Sequence, residues 1–168
     1  MAFAPLSHLC SKVIRGTPAN ICFYGYVPAI IHGETSLPRG VARGKHTHLA
    51  QTERHIKRLE RIFKELDESP RGKRCVGMEG LREESAELIK EKPEADVLDA
   101  GLIAAAQHVE HYEMAGYGCM RSWARQLGDE RQADLLQETL DEEELTDKLR
   151  TELAETSINI DAAIGAMA

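Results

Sequence analysis

Aromatic residues are scarce: one Trp, four Tyr and three Phe among 168 residues. No strand-rich region or internal repeat is evident. No run approaches the roughly 20 apolar residues of a membrane span, so no membrane partner is expected. Positive charge is in deficit. The net charge of -7 argues against broad phosphate binding and hence against a nucleic-acid partner. The four cysteines (Cys10, Cys22, Cys75 and Cys119) form no CxxC pair and no finger spacing. They therefore read as free thiols of a reducing compartment, and a cytoplasmic location is expected. The start lacks the basic segment, apolar block and small-residue cleavage site of a secretory signal, and none is expected.

Acids are missing from one region in particular. Residues 1–47 hold one acid, Glu34, against five bases, whereas residues 48–168 hold 27 acids against 16 bases. Four of the six prolines (Pro5, Pro18, Pro28 and Pro38) and a scatter of glycines also fall in the first region. Both residue types interrupt helices. Residues 1–47 are expected to form an irregular arm, in which the apolar run 21–31 could supply an edge strand or a loop. The remainder divides into a helical domain over 48–160 and a short tail, 161–168.

What is present is helical periodicity. From about Lys45, the residues His48, Thr52, His55, Leu59, Ile62, Phe63 and Leu66 share a face, while Arg54, Lys57, Arg58, Arg61 and Lys64 point away. Ser69-Pro70-Arg71-Gly72 ends this helix. A shorter helix runs from about Cys75 to Lys90, with Met78, Leu81 and Leu88 inward. After Pro93, a helix capped by Asp96 runs to Leu127. Gly128-Asp129 makes a tight connection. A last long helix spans about Glu130 to Thr156, with Leu135, Leu136, Thr139, Glu142, Thr146, Leu149 and Leu153 inside. Long amphipathic helices with short links favour antiparallel neighbours in an all-α bundle.

Three helices carry ligand-type side chains into these stripes. In the stretch 103–117, Glu113 shares the stripe of Leu102, Ala106, Val109, Gly116 and Met120, with Glu110 and His111 beside it. A carboxylate in an apolar stripe is costly without a partner. The first helix offers His48, Gln51 and His55. The last offers Glu138 with Asp141 or Glu142, neighbours at helical spacing. Carboxylates and imidazoles converging inside a bundle hold pairs of iron or manganese ions, for which oxygen donors are suited. Each residue also has a plainer role. Glu143 and Glu144, in the run 141–144, read as a solvated face. His48 and His55 could be hydrogen-bonded bundle histidines. Tyr112 and Tyr117 read as packing residues, Met120 and Trp123 as core or dimer contacts, and Cys75 and Cys119 as small buried hydrophobes.

Five segments carry a resemblance: HLAQTERHIKRLERIF (48–63), SPRGKRCVGMEGL (69–81), AGLIAAAQHVEHYEMAGYG (100–118), ARQLGDERQADLLQETLDEEE (124–144) and LTDKLRTELAETSIN (145–159). Together they resemble the YciE/YciF ferritin-like family over about residues 48–160. The resemblance implies a ferritin-like, rubrerythrin-like up-down four-helix bundle, usually dimeric, with a di-metal centre and a stress-response association. It carries over Glu110 and Glu113 on the third bundle helix, and Glu138 with Asp141 or Glu142 on the fourth. Two departures stand out. The family's second helix has acids where this chain has Ala50 and Gln51. Its acid-bearing first helix has no counterpart in residues 1–47, as though it were missing, replaced, out of frame or preceded by an altered start.

The leading functional expectation is therefore a ferritin-like di-metal carboxylate protein with an incomplete site. It would bind iron or manganese and act on oxygen, peroxide or another small oxidant. The alternatives are a non-catalytic helical stress or interaction protein and a dimeric scaffold. In the scaffold, an uncovered apolar stripe would drive self-association.

Overall fold

The computed structural model describes residues 39–70 and 75–165, with side chains described from His48 onward. The expectations for 1–38, including the apolar run and the missing or replaced first helix, lie outside the described residues. So does the Arg71-Gly72 part of the expected turn.

The described chain is all-helical: α1 (Arg39–Glu65), α2 (Val76–Glu91), α3 (Ala95–Leu127), α4 (Glu130–Leu153), a π-helical turn (Ala154–Ile158) and α5 (Asn159–Gly165). The first helix begins at Arg39, ahead of the expected start near Lys45, and carries Gly40 and Gly44 within it. Each glycine costs roughly 1 kcal/mol relative to Ala in a helix interior. The inward face of α1 is the expected one: Thr52, His55, Leu59, Ile62 and Phe63 are buried. Arg58 departs from expectation. Instead of pointing away, it is 17% exposed and reaches across to α4.

Local signals set the helix ends. The Sγ of Cys75 accepts a hydrogen bond from the Met78 N–H, so Cys75 acts as the N-cap of α2. That helix closes on Lys92 in the left-handed region (φ 49°), just before Pro93. The expected cap at Asp96 is displaced. Glu94 stands at the N-cap of α3 without a side-chain hydrogen bond, and Asp96 lies in the first turn. There its charge still favours the positive end of the helix. At the other end, Gly128 adopts φ 81°, and its N–H reaches the carbonyls of Ala124 and Arg125. Glycine takes this conformation without the Cβ clash other residues meet, so two residues suffice to turn the chain from α3 into α4.

Partner numbers fall on α4 as they rise on α3: Gln107 pairs with Thr151, Glu110 with Arg150, and Arg121 with Gln137. The two helices therefore run antiparallel. The same test applies to α1, where His55 meets Glu142 and Glu65 meets Gln132. So α1 is also antiparallel to α4, and parallel to α3. The main core gathers Leu59, Ile62, Phe63, Met78, Tyr117, Met120, Leu136 and Leu140 from four helices. Burying each large apolar side chain of this kind contributes roughly 1.5–3 kcal/mol.

Several expectations about single residues need correction. Leu149, placed inside by the sequence, is 56% exposed, and Cys119 is exposed. Trp123 is exposed too, so it is not a core residue. The last helix does not end near Thr156. After the π turn it continues as α5 to Gly165, and Ile158 packs with Ile103 and Ala154 in a small second core. Among the described residues, no helix is long and apolar enough to cross a membrane.

Candidate metal centre

The centre lies where α1, α3 and α4 face one another above the main core. Helix α1 supplies His48 and His55, seven residues apart and so on one face. Helix α3 supplies Glu110 and Glu113, and α4 supplies Glu143. One ligand atom each from His48, Glu110 and Glu143 lie within 4.8 Å of one another. Glu110 and Glu143 are 1% and 0% exposed, and Glu113 is 4% exposed.

Three buried carboxyls in one cluster would repel without compensation. Their compensation is visible but partial. The His48 Nε2 stands 3.4 Å from Glu110 Oε1, and the Arg150 guanidinium rests against the same oxygen. Glu143 Oε1 is 3.0 Å from His55 Nδ1. Glu113 faces Glu143. Burial, and then the neighbouring Glu143 charge, push the Glu113 carboxyl well above the usual carboxylate range. A proton kept on Glu113 relieves the repulsion between the two acids. Burial, reinforced by the Arg150 charge, lowers His48 from 6.5 to about 4, so its imidazole is neutral near pH 7. Burial also lowers Arg150 to about 10.

Glu110 Oε2, Glu113 Oε1 and Glu143 Oε2 accept no hydrogen bond from any protein donor. Buried polar oxygens are nearly always satisfied, so three orphans aimed into one cluster need an explanation. A hard divalent cation fits it: the donors are carboxylate oxygens with a neutral imidazole, the set that suits iron or manganese.

Beside the cluster lies a second, more exposed network. Arg58 Nη1 and Nη2 donate to Glu142 Oε2 and Oε1 at 2.7 and 3.3 Å, a two-pronged pair. His55 Nε2 stands 2.7 Å from Glu142 Oε2. Arg58 Nε also pairs with Glu138 Oε2 at 3.2 Å. Burial raises the Glu142 pKa, but the hydrogen bonds from Arg58 and His55 outweigh it and bring Glu142 down to about 2. Through His55, the network braces the far side of Glu143.

The sequence-predicted ligands thus divide. His48, His55, Glu110 and Glu113 converge in or beside the buried cluster. Gln51 is half-buried on α1. Glu142 is committed to Arg58 and His55, and Glu138 is 58% exposed. Asp141 is exposed and accepts a hydrogen bond from Gln137 at 2.7 Å. His111 is exposed and pairs with Asp147. The residue that sequence reasoning missed is Glu143. It reads as part of a solvated acidic run, yet it is the most deeply buried acid of the cluster. A signal for it exists: Leu136, Leu140 and Glu143 stand at i, i+4 and i+7, one face of α4. Glu144, its neighbour in the same run, is exposed as expected.

Known proteins are similar to this chain. The sequence pattern described as "Domain of unknown function (DUF892)" matches residues 41–163. Protein YciF of Escherichia coli (strain K12) is 45% identical over 115 residues, which cover 68% of this chain and 69% of that protein. Among solved structures, the E. coli stress protein YciF superposes with a TM-score of 0.68 at 33% identity, covering 92% of this chain and 89% of that one. YcfI from Rhodopseudomonas palustris superposes with a TM-score of 0.68 at 32% identity, covering 87% and 83%. With a shared pattern over most of its length, relatives at this identity and the same helical architecture, the chain belongs to the YciE/YciF family, whose domain carries the description DUF892.

Proposed function

We propose that this protein is a ferritin-like metal-binding bundle of the stress-associated YciF kind, holding iron or manganese between α1, α3 and α4. The observation that carries this reading is the meeting of three buried carboxyls with a neutral imidazole, leaving three carboxylate oxygens without donors. His48, Glu110, Glu113 and Glu143 would hold the ion. His55 orients Glu143 from behind, as the outer partners of metal ligands commonly do. A bound iron or manganese ion would supply redox chemistry toward oxygen or peroxide. The chain's own contribution is to bury Glu110, Glu113 and Glu143 away from bulk water, and to keep an exchangeable proton on Glu113. Elemental analysis of protein purified from iron- and manganese-supplemented cells tests it. Metal should co-purify with the natural chain and be lost from Glu113→Ala and from Glu143→Ala. A metal-free natural chain that also takes up no Fe2+ or Mn2+ on titration would refute the reading.

A second reading, self-association of a cytoplasmic homodimer, rests on a different observation. Leu145 and Leu149 stand one turn apart on α4, each more than half exposed, and Ile160 and Ile164 repeat this on α5. A mass measured by light scattering near twice 18.7 kDa would support it. Reduction to monomer by Leu149→Glu would tie the association to this face.

A further inference from the structure

The Arg150 guanidinium is an unusual neighbour for metal ligands. It lies on α4 seven residues after Glu143 and therefore on the same helix face. It presses on Glu110 Oε1, the oxygen that also meets His48. Its guanidinium carries a positive charge at neutral pH. It is thus a built-in cation inside the carboxyl cluster at neutral pH.

Charge decides how many metal ions can join it. Among the described residues, Glu142 is already matched by Arg58, so Glu110, Glu113 and Glu143 are the carboxylates available. Set against Arg150, these three leave two negative charges, which one divalent ion cancels. Two divalent ions would leave two uncompensated positive charges in a buried site, a costly arrangement.

Resting on the metal-binding reading above, we propose that Arg150 takes the place of a second metal ion, so that the centre holds a single divalent ion per chain. Glu110 divides its two oxygens accordingly: Oε1 serves Arg150, and Oε2 is left open for the ion. The built-in cation also stabilises the metal-free fold, since it remains when the ion leaves.

Mn2+ titration of the full-length protein tests this, read by bound-metal stoichiometry and by thermal unfolding. The natural chain should bind one Mn2+ per chain, and Arg150→Lys, which keeps the charge, should do the same. Arg150→Met leaves three negative charges, one more than a single divalent ion cancels, and should take up a second Mn2+, with a lower metal-free melting temperature that Mn2+ restores. Because Arg150→Met strips a counter-charge from buried acids, the double variant Glu110→Gln/Arg150→Met is run beside it. With both members of the pair removed, two carboxylates remain, and one Mn2+ per chain is expected. Two Mn2+ per natural chain, an unchanged single ion in Arg150→Met, or two or none in the double variant would overturn the inference while leaving metal binding intact. No Mn2+ bound by any of the four proteins would overturn both.

Discussion

Glu113 of α3 and Glu143 of α4 meet carboxyl to carboxyl inside the bundle, each almost wholly shielded from solvent. Two acids this close cannot both ionise cheaply, and the folded chain keeps a proton on Glu113 that the unfolded chain releases near pH 4.5. Between those two titrations the folded state binds more protons, so this pair makes the metal-free protein less stable as pH rises. Glu113→Gln keeps the shape, supplies a donor and cannot ionise. The variant should melt above the natural chain in the presence of a chelator, with a gap that widens as pH rises above 4.5. Scanning calorimetry at several pH values measures it, and a gap independent of pH would count against the pairing.

The same proton links pH to metal uptake. An ion needs the carboxylate form of Glu113, so binding releases a proton. His48, lowered to about 4, is already free of its proton near neutrality and adds none. Mn2+ affinity should therefore weaken as pH falls, by about tenfold per pH unit where one proton is released. Titration calorimetry in two buffers of different ionisation enthalpy should show protons released on binding at a pH just above 4.5, where the raised Glu113 still holds its proton. Release of no proton would contradict the folded-state assignment for Glu113.

The clamp formed by Arg58, His55 and Glu142 predicts the opposite pH behaviour. Glu142 titrates near 2 when folded, against 4.5 as a free side chain. Its stabilising contribution is complete above pH 4.5 and is lost as pH falls toward 2. Glu142→Gln should cost about 1–3 kcal/mol at pH 7, the usual range for a charge-assisted hydrogen bond. Urea unfolding of the two proteins should converge as pH drops from 4.5 to 2.5. Equal stabilities at pH 7 would mean that the clamp holds α1 to α4 only weakly.

Packing between α2 and α3 depends on two glycines used in different ways. A Cβ at Gly77 would sit 2.7–2.9 Å from the Tyr112 ring and hydroxyl, and the ring cannot bend aside. At Gly101 it would meet the end of the flexible Leu88 side chain at 2.6 Å. Gly77→Ala should cost about 1–3 kcal/mol through overpacking. Gly101→Ala should cost less, because Leu88 can turn to another rotamer. Denaturant midpoints of the two variants rank the effects, and a larger loss in Gly101→Ala would reverse the assignment.

Much of the bundle is legible from helical periodicity. The face of α1, the turn at Gly128 and the acids of α3 follow from spacing and from where Gly and Pro stand. The inner face of α4 is less legible, because that helix carries two overlapping stripes about one residue apart. Leu149 and Leu153 draw a sequence reading toward a stripe that includes Glu142. The true inner line runs through Leu136, Glu143 and Arg150, two charged residues that sequence alone would send to solvent. They turn inward because each meets an opposite or proton-sharing group from another helix. Such meetings depend on how the helices dock, and periodicity within one helix does not encode docking.

The π turn at Ala154–Ile158 has a further consequence. A π turn is an α-helix with one residue too many, the extra residue looping out without breaking the ladder. Each residue advances a helix by about 100°. Removing one residue between 154 and 158 would therefore swing everything downstream by roughly a quarter turn and pull Ile158 off Ile103. The widened turn acts as a spacer between two phases of one long rod. Upstream, the phase is set by the acids and Arg150; downstream, it is set by the aliphatic contact with α3. The segment after the centre can thus be lengthened or trimmed by evolution without rotating the ligands themselves.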